Sequence, residues 1–272
     1  DEGGFVSACE GGHIGVVREL LGLTRDRRAR SNAQQNAALA VASAGGHLEV
    51  LRELLALTGD QHMDVHEWDD AVFAAACGGG HVDTVHELLA LTGARRIDVH
   101  ADFNAALLAA CKGGHAQVLQ LLLDLEGDRR IHVNADSDVA FGVACGHGNV
   151  ETVRLLLALT GERRIDSIET LQHCVAMACE CGHVDVLREL AALTGDRRVD
   201  LTGAKVNELF ENACSGDRVE VMRFLLSLEG DRRVDVHGYR NGILVMMAMS
   251  GSVGAMQELL ALEGDRRLDV HA

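Results

Sequence analysis

The side chains able to do chemistry stand in register along this chain. Cysteines recur at Cys9, Cys77, Cys111, Cys145, Cys179 and Cys214. Histidines recur at His13, His47, His81, His115 and His183, with a second set at His66, His100, His237 and His271. Arginine doublets form a third series: Arg27-Arg28, Arg95-Arg96, Arg129-Arg130, Arg163-Arg164, Arg197-Arg198, Arg232-Arg233 and Arg266-Arg267. Thiols and imidazoles are the ligands of zinc and the parts of nucleophilic catalysis. Paired guanidinium groups suit phosphate and carboxylate.

Spacing argues against each of these chemistries. Stacked repeats lie about 10 Å apart, whereas bridged cysteines need Cα atoms under about 7 Å apart. A disulfide ladder is therefore excluded. The six in-register cysteines read as small buried hydrophobes. Reduced thiols favour a reducing, cytoplasmic compartment. Cys174, Cys179, Cys181 and His183 are the local cluster with metal-ligand types, but without a Cys-x-x-Cys knuckle. Neighbouring histidines in a ladder are too far apart to share an ion held by bonds of about 2.0–2.1 Å. No Walker, dinucleotide, nucleophile-elbow or zinc-protease motif is present. No catalytic residue, cofactor or metal is expected, and the chain does not read as an enzyme. The doublets admit a polyanion-binding edge or a salt-bridge ladder. Flanking acids, as in Asp231-Arg-Arg-Val-Asp235, favour the ladder.

What places these residues is a repeat. Gly-Gly-His occurs at Gly11–His13, Gly45–His47, Gly79–His81 and Gly113–His115, 34 residues apart each time. The slot continues at Asn149, His183, Arg218 and Ser252, with one inserted residue before Arg218. One array of eight units follows, at 1–33, 34–67, 68–101, 102–135, 136–169, 170–204, 205–238 and 239–272. Each unit reads as two short helices about a glycine turn, then an extended loop. In the third unit Asp70–Cys77 is the first helix, and Val82–Leu91 the second, with Val82, Val85, Leu88 and Leu89 on one face. Gly93 suits a left-handed position past its end. Neither helix can bury its own apolar face, but stacked neighbours can.

The columns fit stacking. Eight residues before the turn slot lie Phe5, Leu39, Phe73, Leu107, Phe141, Val175, Phe210 and Leu244, all apolar. Three residues further on the column is alanine in every unit but the last, which has Met247. Asn36, Asp70, Asn104, Asp138, Asn207 and Asn241 read as N-caps of the first helices. Phe141-Gly-Val-Ala-Cys145 with Val153-Arg-Leu-Leu-Leu157, and Ala110-Cys-Lys-Gly-Gly-His115 with Leu121-Leu122-Leu123, resemble ankyrin repeats. The resemblance spans all eight units. It departs from the family in lacking the helix-opening Thr-Pro and in its 34-residue period. It implies an all-α helical-repeat solenoid in which the turn histidine bridges backbone groups of neighbouring units. It also implies a non-catalytic protein-interaction scaffold that binds through loop tips and the concave face of the first helices.

Composition bounds the partner. Lys and Arg number 25 against 41 Asp and Glu, a formal charge of −16. Nucleic acid and anionic membrane are disfavoured, and a basic protein is favoured. No run of 18 apolar residues is present. No signal peptide is visible, although the chain opens at Asp1 rather than Met, so a removed leader stays open. Proline is absent, where average usage would give about 14. Aromatics are 3% of residues, so those at the variable tips stand out. Trp68, Asp69, Asp102, Phe103, Asp136, Tyr239 and Arg240 are the candidate contact residues. The alternative is end-to-end self-association into a filament, or a place within a longer array. Met246, Met247, Met249 and Met256, clustered in the last unit, are its candidate residues.

Overall fold

The computed structural model describes residues 2–24, 32–57, 63–133, 138–237 and 242–267. Sixteen α-helices and no strand are found among the described residues. The chain divides into two compact units, Asp1–Val133 and Asn134–Ala272.

The first unit holds α1 (Glu2–Glu10), α2 (Ile14–Thr24), α3 (Asn32–Ala44), α4 (Leu48–Leu55), α5 (Glu67–Gly79), α6 (Val82–Leu89), α7 (Ala101–Gly113) and α8 (Ala116–Leu123). Odd-numbered helices stack on one another, as do even-numbered ones, so each repeat touches its neighbour twice. The second unit repeats the plan with α9 (Val139–Gly146), α10 (Val150–Leu157), α11 (Ile168–Cys181) and α12 (Val184–Ala191). It continues with α13 (Gly203–Ser215), α14 (Val219–Ser227), α15 (Gly242–Ser250) and α16 (Val253–Leu260). No helix among the described residues is long and apolar enough to cross a membrane.

Alanine decides how closely the first helices approach. Ala42, Ala76, Ala110, Ala144, Ala178 and Ala213 are fully buried, beside Leu39, Phe73, Phe141 and Phe210. The in-register cysteines share this interior, all six buried and unbridged. Burial pushes the thiols of Cys77, Cys111, Cys179 and Cys214 up to about 12, so they stay protonated and unreactive.

Recurring hydrogen bonds tie repeat to repeat. In the turn slot, His47 Nε2 meets Glu10 O at 2.7 Å, His81 Nε2 meets Ala44 O at 2.9 Å, and His115 Nε2 meets Gly78 O at 2.8 Å. In the second unit His183 Nε2 meets Gly146 O at 3.0 Å. At two of the slots where histidine is replaced the bond survives: Arg218 Nε donates to Glu180 O and Ser252 Oγ donates to Ser215 O. The slot therefore selects a donor of the right reach. The loop histidines work alike, His66 Nε2 meeting Ala94 O and His100 Nε2 meeting Asp128 O.

The Asn/Asp column does not cap the first helices, contrary to the sequence expectation. α3, α5 and α13 begin three or four residues before it, at Asn32, Glu67 and Gly203, and in α7 the backbone is left-handed from Asp102 through Asn104. At Asp138 the N-cap site of α9 is filled, but the backbone is left-handed and no capping bond forms. Asp70 Oδ2 instead accepts from Asp98 N at 3.2 Å, and Asn207 Oδ1 accepts from Asp235 N at 3.0 Å. Gln172 does the same for Asp200 N. Loop amides need partners, and these three side chains supply them one repeat away. Ser167 is a true N-cap, accepting from Thr170 N at the start of α11. Asn241 lies outside the described residues.

Several of the described arginine doublets divide their labour. The second arginine joins a carboxylate of the next repeat, as Arg96–Asp128 and Arg164–Asp196 do, both at 2.7 Å. The first reaches back instead. Arg95 donates to Leu55 O at 2.8 Å, Arg129 to Leu89 O at 3.0 Å and Arg197 to Leu157 O at 2.9 Å. Each acceptor is the last residue of a second helix, whose final carbonyls lack intrahelical partners. The loop glycine is left-handed as expected, φ +63° at Gly93, but opens a short 3₁₀ turn four residues beyond α6.

Candidate functional site

The tips carry the sequence-derived contact residues. Phe103 is 80% exposed, and Asp102 beside it is exposed too. Asp102, Phe103 and Asn104 all have positive φ, at 46°, 53° and 61°. Left-handed backbone is unfavourable for a bulky residue and persists only where its surroundings enforce it. Here Asn104 Oδ1 is held at 3.2 Å from His100 Nδ1, at the base of the tip. Trp68 and Asp69 lie on the first turn of α5, with side chains outside the described structure. Asp136, Tyr239 and Arg240 lie outside the described residues.

The second unit holds a feature the sequence reading missed. Between α9 and α11 a cleft of about 590 Å³ opens, walled by Val139, Gly142, Val143 and Met177, with Asp138 and Glu169 also lining it. His147 and His173 are exposed at the same cleft. Its sequence signal is Gly142. The column holds Val6, Ala40, Ala74, Leu108, Ala176, Glu211 and Val245 in the other repeats. A Cβ at Gly142 would meet nothing within 4 Å, so the missing side chain is the opening.

Asp138 is 7% exposed, and its Oδ1 has no hydrogen-bond partner among the described residues. Burial raises this carboxyl above the usual carboxylate range; Thr170 opposes the shift and Asp166 adds to it. Asp70, its counterpart in the third repeat, is also raised by burial, but His66 and the Asp98 amide pull it back.

Among the described residues no group of three His, Cys, Asp or Glu side chains converges on a possible metal position. What the fold offers is surface, presented by a stack of paired helices at a fixed period. A family model described as ankyrin repeats (3 copies) matches residues 71–167. The span 71–167 carries ankyrin repeats. No curated protein matches it. Ankyrin repeats are protein–protein interaction modules and are typically non-catalytic. The matched span includes Phe103 at its exposed tip, Gly142 in the cleft, and the His81 and His115 bridges.

Proposed function

We propose that this ankyrin-repeat chain is a non-catalytic scaffold that binds a basic protein through its loop tips and the exposed side of its first helices. Phe103 carries the proposal: a large aromatic side chain lies in solvent on strained backbone, where packing offers it nothing. Exposed aromatic anchors are the usual centres of binding energy, and the net charge of −16 favours a cationic partner. Trp68, Asp69, Asp102, Asp136, Tyr239 and Arg240 complete the proposed contact set. Partner capture from extract, with proteins identified by mass spectrometry, tests it. A basic protein retained by the wild type is expected to be lost from Phe103→Ala, Trp68→Ala and Tyr239→Ala. An identical captured set from all four chains would sink the tip assignment.

End-to-end self-association is the second function, and two helices favour it. Val16 on α2 is 50% exposed, although Val50 and Val118 in its column are buried. Leu260 on α16 is likewise 50% exposed, although Leu157, Ala191 and Leu226 are buried. Both columns are those on which one repeat stacks against another. A second copy, or another repeat of a longer array, has the shape to cover them. Of the candidate methionines, Met249 is exposed, Met246 and Met256 are half-buried and Met247 is buried. Sedimentation velocity is expected to show mass rising with concentration for the wild type but not for Leu260→Glu. A monomer at every concentration refutes self-association.

A further inference from the structure

We propose that the cleft between α9 and α11 is a socket for a cationic side chain of a protein partner, a lysine or arginine whose stem lies along the apolar wall and whose charge meets Asp138. The assignment deepens the reading of the chain as a binder of a basic protein, and rests on it. Four observations meet here. The cleft volume of about 590 Å³ lies within the range of ~300–1,000 Å³ typical of ligand sites. Val139, Val143 and Met177 line a path for methylene groups, which bury their stems against apolar surface while the charged end seeks a partner. Asp138 has a buried carboxylate oxygen without a hydrogen-bond partner among the described residues, a costly state that a bound cation relieves. Glu169 adds a second, exposed carboxylate, and neither lysine nor arginine lines the cleft.

The socket arises where the array breaks its own pattern. Leucine at Leu108 occupies the Gly142 column in the fourth repeat, and asparagine at Asn104 occupies the Asp138 column, there also with left-handed backbone. Both substitutions that test the socket are therefore already accommodated elsewhere in this chain. Gly142→Leu fills the cleft. Asp138→Asn keeps its shape and removes the charge.

The probe is n-butylammonium, which reproduces a lysine side chain, with n-butanol and butyrate as matched neutral and anionic controls. The readout is the Met177 methyl resonance of the folded full chain. Saturable shifts are expected with n-butylammonium, at least about fivefold weaker binding with n-butanol, and none with butyrate. Gly142→Leu is expected to abolish the response. Asp138→Asn is expected to bring n-butylammonium down to the level of n-butanol. Equal binding of all three probes, no saturable shift, or an Asp138→Asn chain that still prefers the ammonium would each overturn the socket. Loss of the socket with partner capture still sensitive to Phe103→Ala would leave the broader binding function standing. Capture insensitive to the tips, with the ammonium response intact, would do the reverse.

Discussion

Gly80→Val is expected to destabilise the chain by about 3 kcal/mol. Gly80 ends α5 with φ +76°. For a branched side chain this left-handed conformation costs about 1–2 kcal/mol. The further loss comes from a neighbour: a Cβ at Gly80 would lie 2.3 Å from His115 Nδ1, on the next repeat. The ring must move, and its bond from Nε2 to Gly78 O goes with it, at about 1 kcal/mol. Gly93→Val is the control. Gly93 has nearly the same backbone, φ +63°, but nothing within 4 Å of an added Cβ. It should lose only the conformational part. Denaturant titration of both variants at unchanged slope checks this. Equal losses would show that the histidine bridge contributes nothing.

The two arginines of a doublet are expected to differ more than their adjacency suggests. Arg95→Met should cost about 2 kcal/mol, because it strips a charge-assisted bond from the free carbonyl of Leu55 at the end of α4. Arg96→Met should leave the unfolding midpoint unchanged within error. Its partner Asp128 is largely exposed, and solvent-exposed pairs contribute little. Asp128 does feel the pair: the guanidinium of Arg96 holds its carboxyl below the ordinary range. That small contribution is present at neutral pH and is withdrawn as pH falls through the carboxylate range. Raising salt to 1 M should erase any residual effect of Arg96 and spare that of Arg95. The opposite ranking would mean that the doublets act as a surface charge ladder alone.

The repeat, the helix pairing and the burial of the cysteine column were legible because each follows from a period and a side-chain volume. The turn histidine's bond came from the family resemblance, and Arg218 and Ser252 show that its chemistry is wider than one residue type. The Asn/Asp column was misread for a physical reason. Asparagine and aspartate satisfy helix N–H groups and loop N–H groups equally well, and one-dimensional spacing does not say which lies nearer. The reach of Arg95 to Leu55 crosses 40 residues to a backbone atom, and backbone acceptors leave no mark in a sequence. The α9–α11 cleft had a mark, Gly142, but glycine occurs 30 times here. Only its place in a column otherwise filled by larger residues sets it apart.

The hydrogen bonds joining neighbouring repeats have a kinetic consequence. Apart from local bonds at the repeat boundaries, such as His100 to Asn104, the links described span from 28 residues, Asp98 to Asp70, to 41, Arg232 to Ala191. Loop-closure entropy depends on the length of chain between the joined points, and here that length is set by the repeat and not by the array. Adding repeats leaves the entropic barrier to the next contact unchanged. Folding can begin at any pair of adjacent repeats and spread in both directions.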